Sequence, residues 1–173
     1  VIDLADRIRV PLVYIPSFDV NEIRNVSDLV ETARILKACC DYVGGRSIEV
    51  ASENTLGVED NLRLLNAVDH EKMRIMIDTY NPIIWGHRTV NLITELWPYL
   101  CDQVHVKDGK NNTMGNARLG EGDAEFAEVI TALKGHGFDG TLIIENEYSP
   151  SLIGTQIQHD IVQIELLFGQ KGG

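Results

Sequence analysis

Four short apolar runs in this chain end in the same kind of residue. The run from Ile48 to Ser52 stops at Glu53, and Ile75-Met76-Ile77 stops at Asp78. Val104-His105-Val106 runs into Lys107 and Asp108, and Leu142-Ile143-Ile144 stops at Glu145. Short β-branched runs bounded by polar residues read as strands, and the last of them reads as a strand buried on both faces. A carboxylate at the end of a buried strand is costly unless something pairs with it. One such residue is explained well enough as a helix cap or a surface ion pair. Four at the same end of four successive strands point to a shared site.

Between the runs the apolar period becomes helical. A strand over 10–16 precedes a helix over about 27–43, with Ser27 as N-cap and Leu29, Ala33, Leu36 and Cys40 as its stripe. A strand over 47–52 precedes a helix over about 57–68 carrying Val58, Leu62, Leu65 and Val68, and a strand over 73–77 precedes one over about 88–99 carrying Val90, Ile93 and Trp97. A strand over 102–107 leads through a long loop to a helix from about 123. There Asp123 is the expected cap, Phe126, Val129, Ile130 and Leu133 the stripe, and Gly135 and Gly137 the stop. A strand over 140–145 precedes a helix over about 150–168 with Ile153, Ile157, Ile161, Ile164 and Phe168.

Five βα units in succession imply an α/β fold with a parallel sheet and right-handed crossovers. Either a doubly wound sheet or a (β/α)8 barrel satisfies this, and both gather function at the carboxyl ends of the strands. No GxGxxG follows any strand, which removes the main dinucleotide signature. Side chains alternate faces along a strand, so Glu53 lies with Ala51, Asp78 with Met76, His105 with Gln103 and Glu145 with Ile143. Each strand thus has one apolar face for helices and one face ending in a functional group, as a barrel mouth requires. A partial barrel in a single domain over 1–173 is expected.

Two Glu, one Asp and one His converging on such a mouth suit a divalent ion, Mn²⁺, Mg²⁺, Co²⁺ or Zn²⁺. Three carboxylates at close range repel one another without a cation, so an ion would also explain Glu145. The net charge of −11 is compatible with cation binding and argues against a nucleic-acid partner. No stretch approaches 18 apolar residues, so no membrane span is expected, and the charged start, "VIDLADRIRV", lacks the pattern of a signal peptide. With three cysteines, an odd number, and adjacent Cys39 and Cys40 reading as small core residues, the expected setting is cytoplasmic. The two sequons at Asn25 and Asn111 are then chance matches.

The segments "IEVASEN", "IMIDTYNP", "VHVKDG" and "LGEGDAEFAEVITALKGHGFDGTLIIENE" resemble the C-terminal five-eighths of a xylose isomerase-like barrel, in the sugar phosphate isomerase/epimerase superfamily. The resemblance begins at the fourth strand of that barrel, which implies an N-terminally truncated copy holding strands four to eight. It implies Glu53, Asp78, His105 and Glu145 as metal ligands and Glu53 with Glu145 as the acid/base pair. It implies metal-dependent isomerisation or epimerisation of a ketose or ketose phosphate through an enediolate. Inosose dehydratase-like elimination and hydroxypyruvate isomerisation are the related chemistries. An apurinic endonuclease-like enzyme and a non-catalytic sugar-binding barrel are the further alternatives. Many members carry DxxH at the metal Asp, where this chain has Asn81, and this leaves the sugar open.

The remaining polar groups are secondary. Asn81 is read as a ligand to a substrate oxygen. Lys107 reaches either the substrate or a structural partner, Glu145 or Asp108. Glu59 is either a substrate contact or a first-turn helix residue. The loop "DGKNNTMGNARLGEGD" is long for a βα connection, and Gly120 and Gly122 allow it shapes that cover the mouth. His87, His136 and His159 read as surface residues, and Trp85, after Pro82, either packs in the core or lines the pocket. Exposed edges on the strands at 10–16 and 140–145 invite association, so a homo-oligomer is among the expected partners, beside a small sugar or sugar phosphate.

Overall fold

The computed structural model describes residues 1–169. In chain order the first elements are α1 (Ile2–Arg7), β1 (Leu12–Pro16), α2 (Val26–Val43), β2 (Glu49–Glu53), α3 (Val58–Val68) and β3 (Met73–Asp78). There follow α4 (Asn81–Ile84), α5 (Thr89–Leu96), β4 (Leu100–Val106), β5 (Asp108–Lys110), β6 (Thr113–Ala117), α6 (Phe126–Gly135), β7 (Thr141–Ile144) and α7 (Ile153–Phe168). Five strands make a parallel sheet in the order β1-β2-β3-β4-β7, and β5 and β6 make a separate antiparallel pair. The expected sequence of βα units is therefore present. Two compact units divide it: Val1–Met76 with Pro98–Cys101, and Ile77–Trp97 with the chain from Asp102 onward. No described helix is long and apolar enough to cross a membrane.

In the first unit, β1 pairs with β2 from Leu12↔Glu49 to Pro16↔Glu53, and β2 with β3 from Val50↔Met73 to Glu53↔Met76. Parallel neighbours need a crossover, and α2 and α3 supply it. Ala33, Leu36, Cys40 and Val43 recur at helical spacing and are buried, which confirms Cys40 as a core residue, while Cys39, one step off that stripe, is only half-buried. Fully burying a side chain such as Leu36 is worth about 1.5–3 kcal/mol. The cap of α2 is Asn25 rather than Ser27: Asn25 has extended backbone and its Oδ1 accepts from Asp28 N at 3.1 Å, so the helix starts before Ser27. On α3, Val68 is buried as expected, but the other buried positions are Asn61 and Leu64, each one residue before the expected Leu62 and Leu65. Ala51, Met76 and Cys101 pack together with Leu12 against them, one residue from each of four strands. By the two-residue period this is the face that carries Glu53 on β2 and Asp78 on β3.

In the second unit, β4 pairs with β7 from Gln103↔Thr141 to Val106↔Ile144. The expected helix over 88–99 is shorter: α5 covers Thr89–Leu96, a 3-10 turn covers Trp97–Tyr99, and the separate α4 precedes it. α6 buries Phe126, Val129, Ile130 and Leu133 as the spacing predicts and stops where Gly137 takes a φ of +79°. Asp123 does not cap it; the residue before the helix is Glu125, with a φ of 50° and no side-chain cap bond, and Asp123 Oδ2 instead accepts from Asn111 N. Two expectations about burial fail. β7 is half-buried rather than buried on both faces, as suits the last strand in the order. On α7, Ile153, Ile157 and Ile161 are exposed, and the buried residue is Asp160.

Candidate active site

Asp78 ends β3 nearly inaccessible to solvent. Its Oδ1 accepts from the main-chain N of Tyr80 at 2.8 Å and of Asn81 at 2.6 Å. That side-chain turn starts α4 and fixes where the carboxylate points. Its other oxygen, Oδ2, lies 3.2 Å from Lys107 Nζ. The same ammonium lies 3.1 Å from Glu145 Oε2, while Glu145 Oε1 lies 3.2 Å from Nδ1 of the buried His105. One ligand-type atom from each of Asp78, His105 and Glu145 falls within 4.8 Å of the others. Lys107 is thus paired with Glu145 and Asp78; Asp108 has other partners.

The Lys107 side chain is only 12% exposed. Burial works to lower its pKa, but the facing charge of Asp78 and the hydrogen bond and charge of Glu145 outweigh it, and the net displacement is upward. Its backbone is held by one side chain. Thr79 Oγ1 accepts from Lys107 N at 2.9 Å and donates to Lys107 O at 2.6 Å. Asn81 is also buried, and its Oδ1 has no hydrogen-bond partner. A buried amide oxygen left unpaired is costly, and an acceptor of this kind beside Asp78 suits a hydroxyl donor.

The sequence pattern does not single out two residues that hold this region in place. Asp108 is fully buried, and four main-chain N–H groups converge on it. Oδ1 accepts from Gly109 and Ala124 at 2.8 and 3.0 Å, and Oδ2 from Gly120 and Gly122, both at 2.9 Å. Gly122 is required there, since a Cβ would collide with Asp108 Oδ1 and Gly109 O. The paired glycines of "GEG" are the available signal. Asp160, fully buried on α7, accepts from Leu119 N at 2.9 Å, Asn146 Nδ2 at 2.6 Å and Tyr148 Oη at 2.6 Å. Asn146 links the Asp160 carboxylate to the main chain of Asp108, because its Oδ1 accepts from Asp108 N at 2.9 Å. The loop over 108–125 and the segment after Glu145 are therefore tied to one network. Burial, and then the bond and charge of Asp160, push the Tyr148 phenol well up.

Glu53 is buried at the end of β2, and its main-chain O accepts from Ser17 N at 2.8 Å. The exit turn behind it is built on two buried amides. Asn54 Nδ2 donates to Asn61 Oδ1 and to Ser52 Oγ, both at 3.0 Å, and Asn54 Oδ1 accepts from Leu56 N at 2.9 Å. Glu59 is exposed in the first turn of α3 and pairs with Arg63. Trp85 is 38% exposed, not core, because it follows the single turn of α4. Of the three histidines read as surface, His136 stacks on Trp97 with ring centroids 4.8 Å apart, and His159 lies between Asp160 and Glu121.

A parallel βα array whose strand-end carboxylates and histidine converge defines a barrel of the kind that works at its carboxyl face. Residues 1–165 match the family described as xylose isomerase-like TIM barrel, and the chain belongs to that family. Among curated proteins it is similar to 2-epi-5-epi-valiolone 7-phosphate 2-epimerase of Actinoplanes sp. strain SE50/110, 34% identical over 147 residues, which is 84% of this chain and 54% of that protein. The chain therefore spans about half the length of this relative. Among solved structures it is similar to the xylose isomerase domain protein of Planctomyces limnophilus, with a TM-score of 0.74 at 20% identity over 96% of this chain and 61% of the other. It is likewise similar to the IolI protein with a bound zinc atom, with a TM-score of 0.76 at 13% identity over 99% and 68%. At these identities the solved structures establish the partial-barrel fold alone.

Proposed function

We propose that this chain carries the metal and proton-transfer site of an epimerase or isomerase acting on a polyhydroxy ketone, free or phosphorylated. The observation that carries this reading is the meeting of Asp78, His105 and Glu145, the two carboxylates bridged by an ammonium and the imidazole against Glu145. A position already filled by one cation between two carboxylates has the charge that a divalent ion needs, and the imidazole supplies a further ligand. The donor set, oxygen-rich with one nitrogen, fits Mn²⁺, Mg²⁺, Co²⁺ or Zn²⁺. Glu53, buried at the end of β2, is assigned as the fourth ligand on the strength of the strand-end pattern. Its register partner is Met76, two residues before Asp78 on the neighbouring strand, and the two-residue period puts Glu53 and Asp78 on the same face. The Actinoplanes relative, named as an epimerase of a phosphorylated ketone, supports the substrate class.

A divalent ion held there supplies Lewis acidity toward the carbonyl and hydroxyl oxygens of the substrate. The rest falls to side chains. Epimerisation removes a C–H proton beside the carbonyl and returns one on the opposite face, so it needs two groups that alternate as base and acid. Glu145 and Glu53 are assigned to those roles. Asn81 Oδ1 accepts from a substrate hydroxyl, which satisfies a buried amide oxygen left without a partner. The test is incubation of the protein in D2O with each of the four ions and a panel of ketoses and ketose phosphates, read by proton NMR. Ion-dependent loss of the signal from the carbon beside the carbonyl is expected. Ion binding without exchange on any substrate would sink the proposal, and elimination products would move it to the lyases.

A further inference from the structure

The position of Lys107 bears on how the site is loaded. Its ammonium touches the two carboxylate oxygens that a divalent ion would also take, Asp78 Oδ2 at 3.2 Å and Glu145 Oε2 at 3.1 Å. Ligand oxygens sit about 2.0–2.2 Å from such an ion. An ion that took these oxygens from the side the ammonium now holds would therefore fall within its contact distance, with no room for water to screen the two positive charges. We propose that Lys107 is a built-in rival of the metal ion, which an arriving ion must displace from Asp78 and Glu145 and which then becomes a mobile donor for an oxygen of the substrate. This inference rests on the metal reading above.

The local structure permits the displacement at small cost. The main chain of Lys107 is fixed on one side by Thr79, through bonds of 2.9 and 2.6 Å. On the other side the neighbouring Asp108 is anchored by four main-chain N–H groups and by Asn146. The movement is therefore confined to the four-carbon stem of the side chain. Lysine suits this task as arginine would not, being a compact charge on a flexible arm rather than a planar fork matched to one carboxylate geometry. Asp78 stays in place throughout, because its Oδ1 is committed to the N–H groups of Tyr80 and Asn81. Without its ion the site is thus already partly charge-compensated: two acidic side chains share one ammonium. Metal affinity is set below what the bare carboxylates would give.

The alternative is that Lys107 is a fixed brace that supports the ligands with the ion present. The two accounts differ in sign. Mn²⁺ binding to the wild-type protein and to Lys107→Met is measured from the EPR signal of the free ion, with Lys107→Gln as a second neutral variant should Lys107→Met not fold. Rivalry predicts a dissociation constant at least tenfold lower in the neutral variant. It also predicts a lower melting temperature without metal and a larger rise on adding Mn²⁺. A brace predicts weaker binding, and equal or weaker binding overturns the proposal. A readout on the unaltered protein uses the ammonium resonances of 15N-labelled lysine, with Zn²⁺ as a diamagnetic probe. The slowly exchanging Lys107 signal is expected to shift or vanish at one equivalent of Zn²⁺, and an unmoved signal overturns the proposal. If neither the wild-type protein nor the neutral variant binds any ion, the metal reading itself falls. If both bind and only the sign is wrong, that reading stands and the rivalry alone is refuted.

Discussion

Replacing Asp108 by asparagine changes one oxygen into an NH2 group and alters almost nothing else in shape. The consequences are large because all four of its acceptor contacts are to main-chain N–H groups in a site with no access to water. Whichever way the amide turns, its NH2 faces two donors, either Gly109 and Ala124 or Gly120 and Gly122. A buried donor left unsatisfied costs about 1–3 kcal/mol, so the two together come to about 2–6 kcal/mol, and about 4 is a fair central value. The two surviving bonds also lose their charge-assisted character. Against a typical domain stability of about 5–15 kcal/mol this is a severe loss. Urea denaturation followed by circular dichroism measures it, and hydrogen exchange locates it at the amides of Gly109, Gly120, Gly122 and Ala124. A variant within about 1 kcal/mol of wild type at unchanged m-value would refute the reasoning, as would a loss of stability without faster exchange at those amides.

Three further outcomes are expected. Glu145→Gln keeps a weak amide ligand but no base, so solvent deuterium exchange at the substrate carbon should stop; a fully metallated variant that exchanges at the wild-type rate would leave Glu145 a ligand only. Asn81→Ala should raise KM with little change in kcat, because it removes an acceptor used in binding; a fall in kcat at constant KM would show that the assignment is wrong. Tyr148 should ionise well above the ordinary phenol pKa of about 10, visible as a late step in a titration at 295 nm that disappears in Tyr148→Phe. Since its folded pKa is raised, its contribution to stability is fully present below about pH 10 and is lost as pH rises toward the folded value.

The parts of this molecule that are legible in the sequence are those set by short-range rules. Strand ends and faces follow from a period of two, which is why the pattern alone places Ala51 on the face of Glu53 and Met76 on the face of Asp78, where they pack together. The α6 stripe follows from a period of 3.6. What the pattern does not reach depends on partners far along the chain. Asp108 finds Gly120, Gly122 and Ala124 twelve to sixteen residues away, and Asp160 finds Leu119 forty-one residues away. A carboxylate in an isoleucine-rich helix reads as the solvent side, yet on α7 it is Asp160 that faces inward and Ile153, Ile157 and Ile161 that face out. The β5–β6 hairpin does have a local signal. Asn111 and Asn112 both take positive φ, 55° and 57°, as a tight hairpin turn demands, but the strands on either side are too short to betray themselves by alternation.

The anchorage of that hairpin has an evolutionary side. Asp108 grips its loop through main-chain N–H groups alone, and β6 is tied to the chain beyond Glu145 by a bond from Glu147 N to Gly115 O at 3.0 Å. Main-chain groups are common to every residue except proline as a donor. Gly115, the turn residues Asn111 and Asn112 with their positive φ, and Asn116, whose Oδ1 accepts from Lys110 N at 2.7 Å, hold the hairpin's shape; the other side chains from Lys110 to Arg118 are free to drift without loosening the attachment. Such an arrangement separates what must be kept from what can be tried: mutations in the hairpin sample new side chains next to the strand ends while the scaffold below them stays unchanged. Divergence in substrate preference within this lineage is expected to concentrate there.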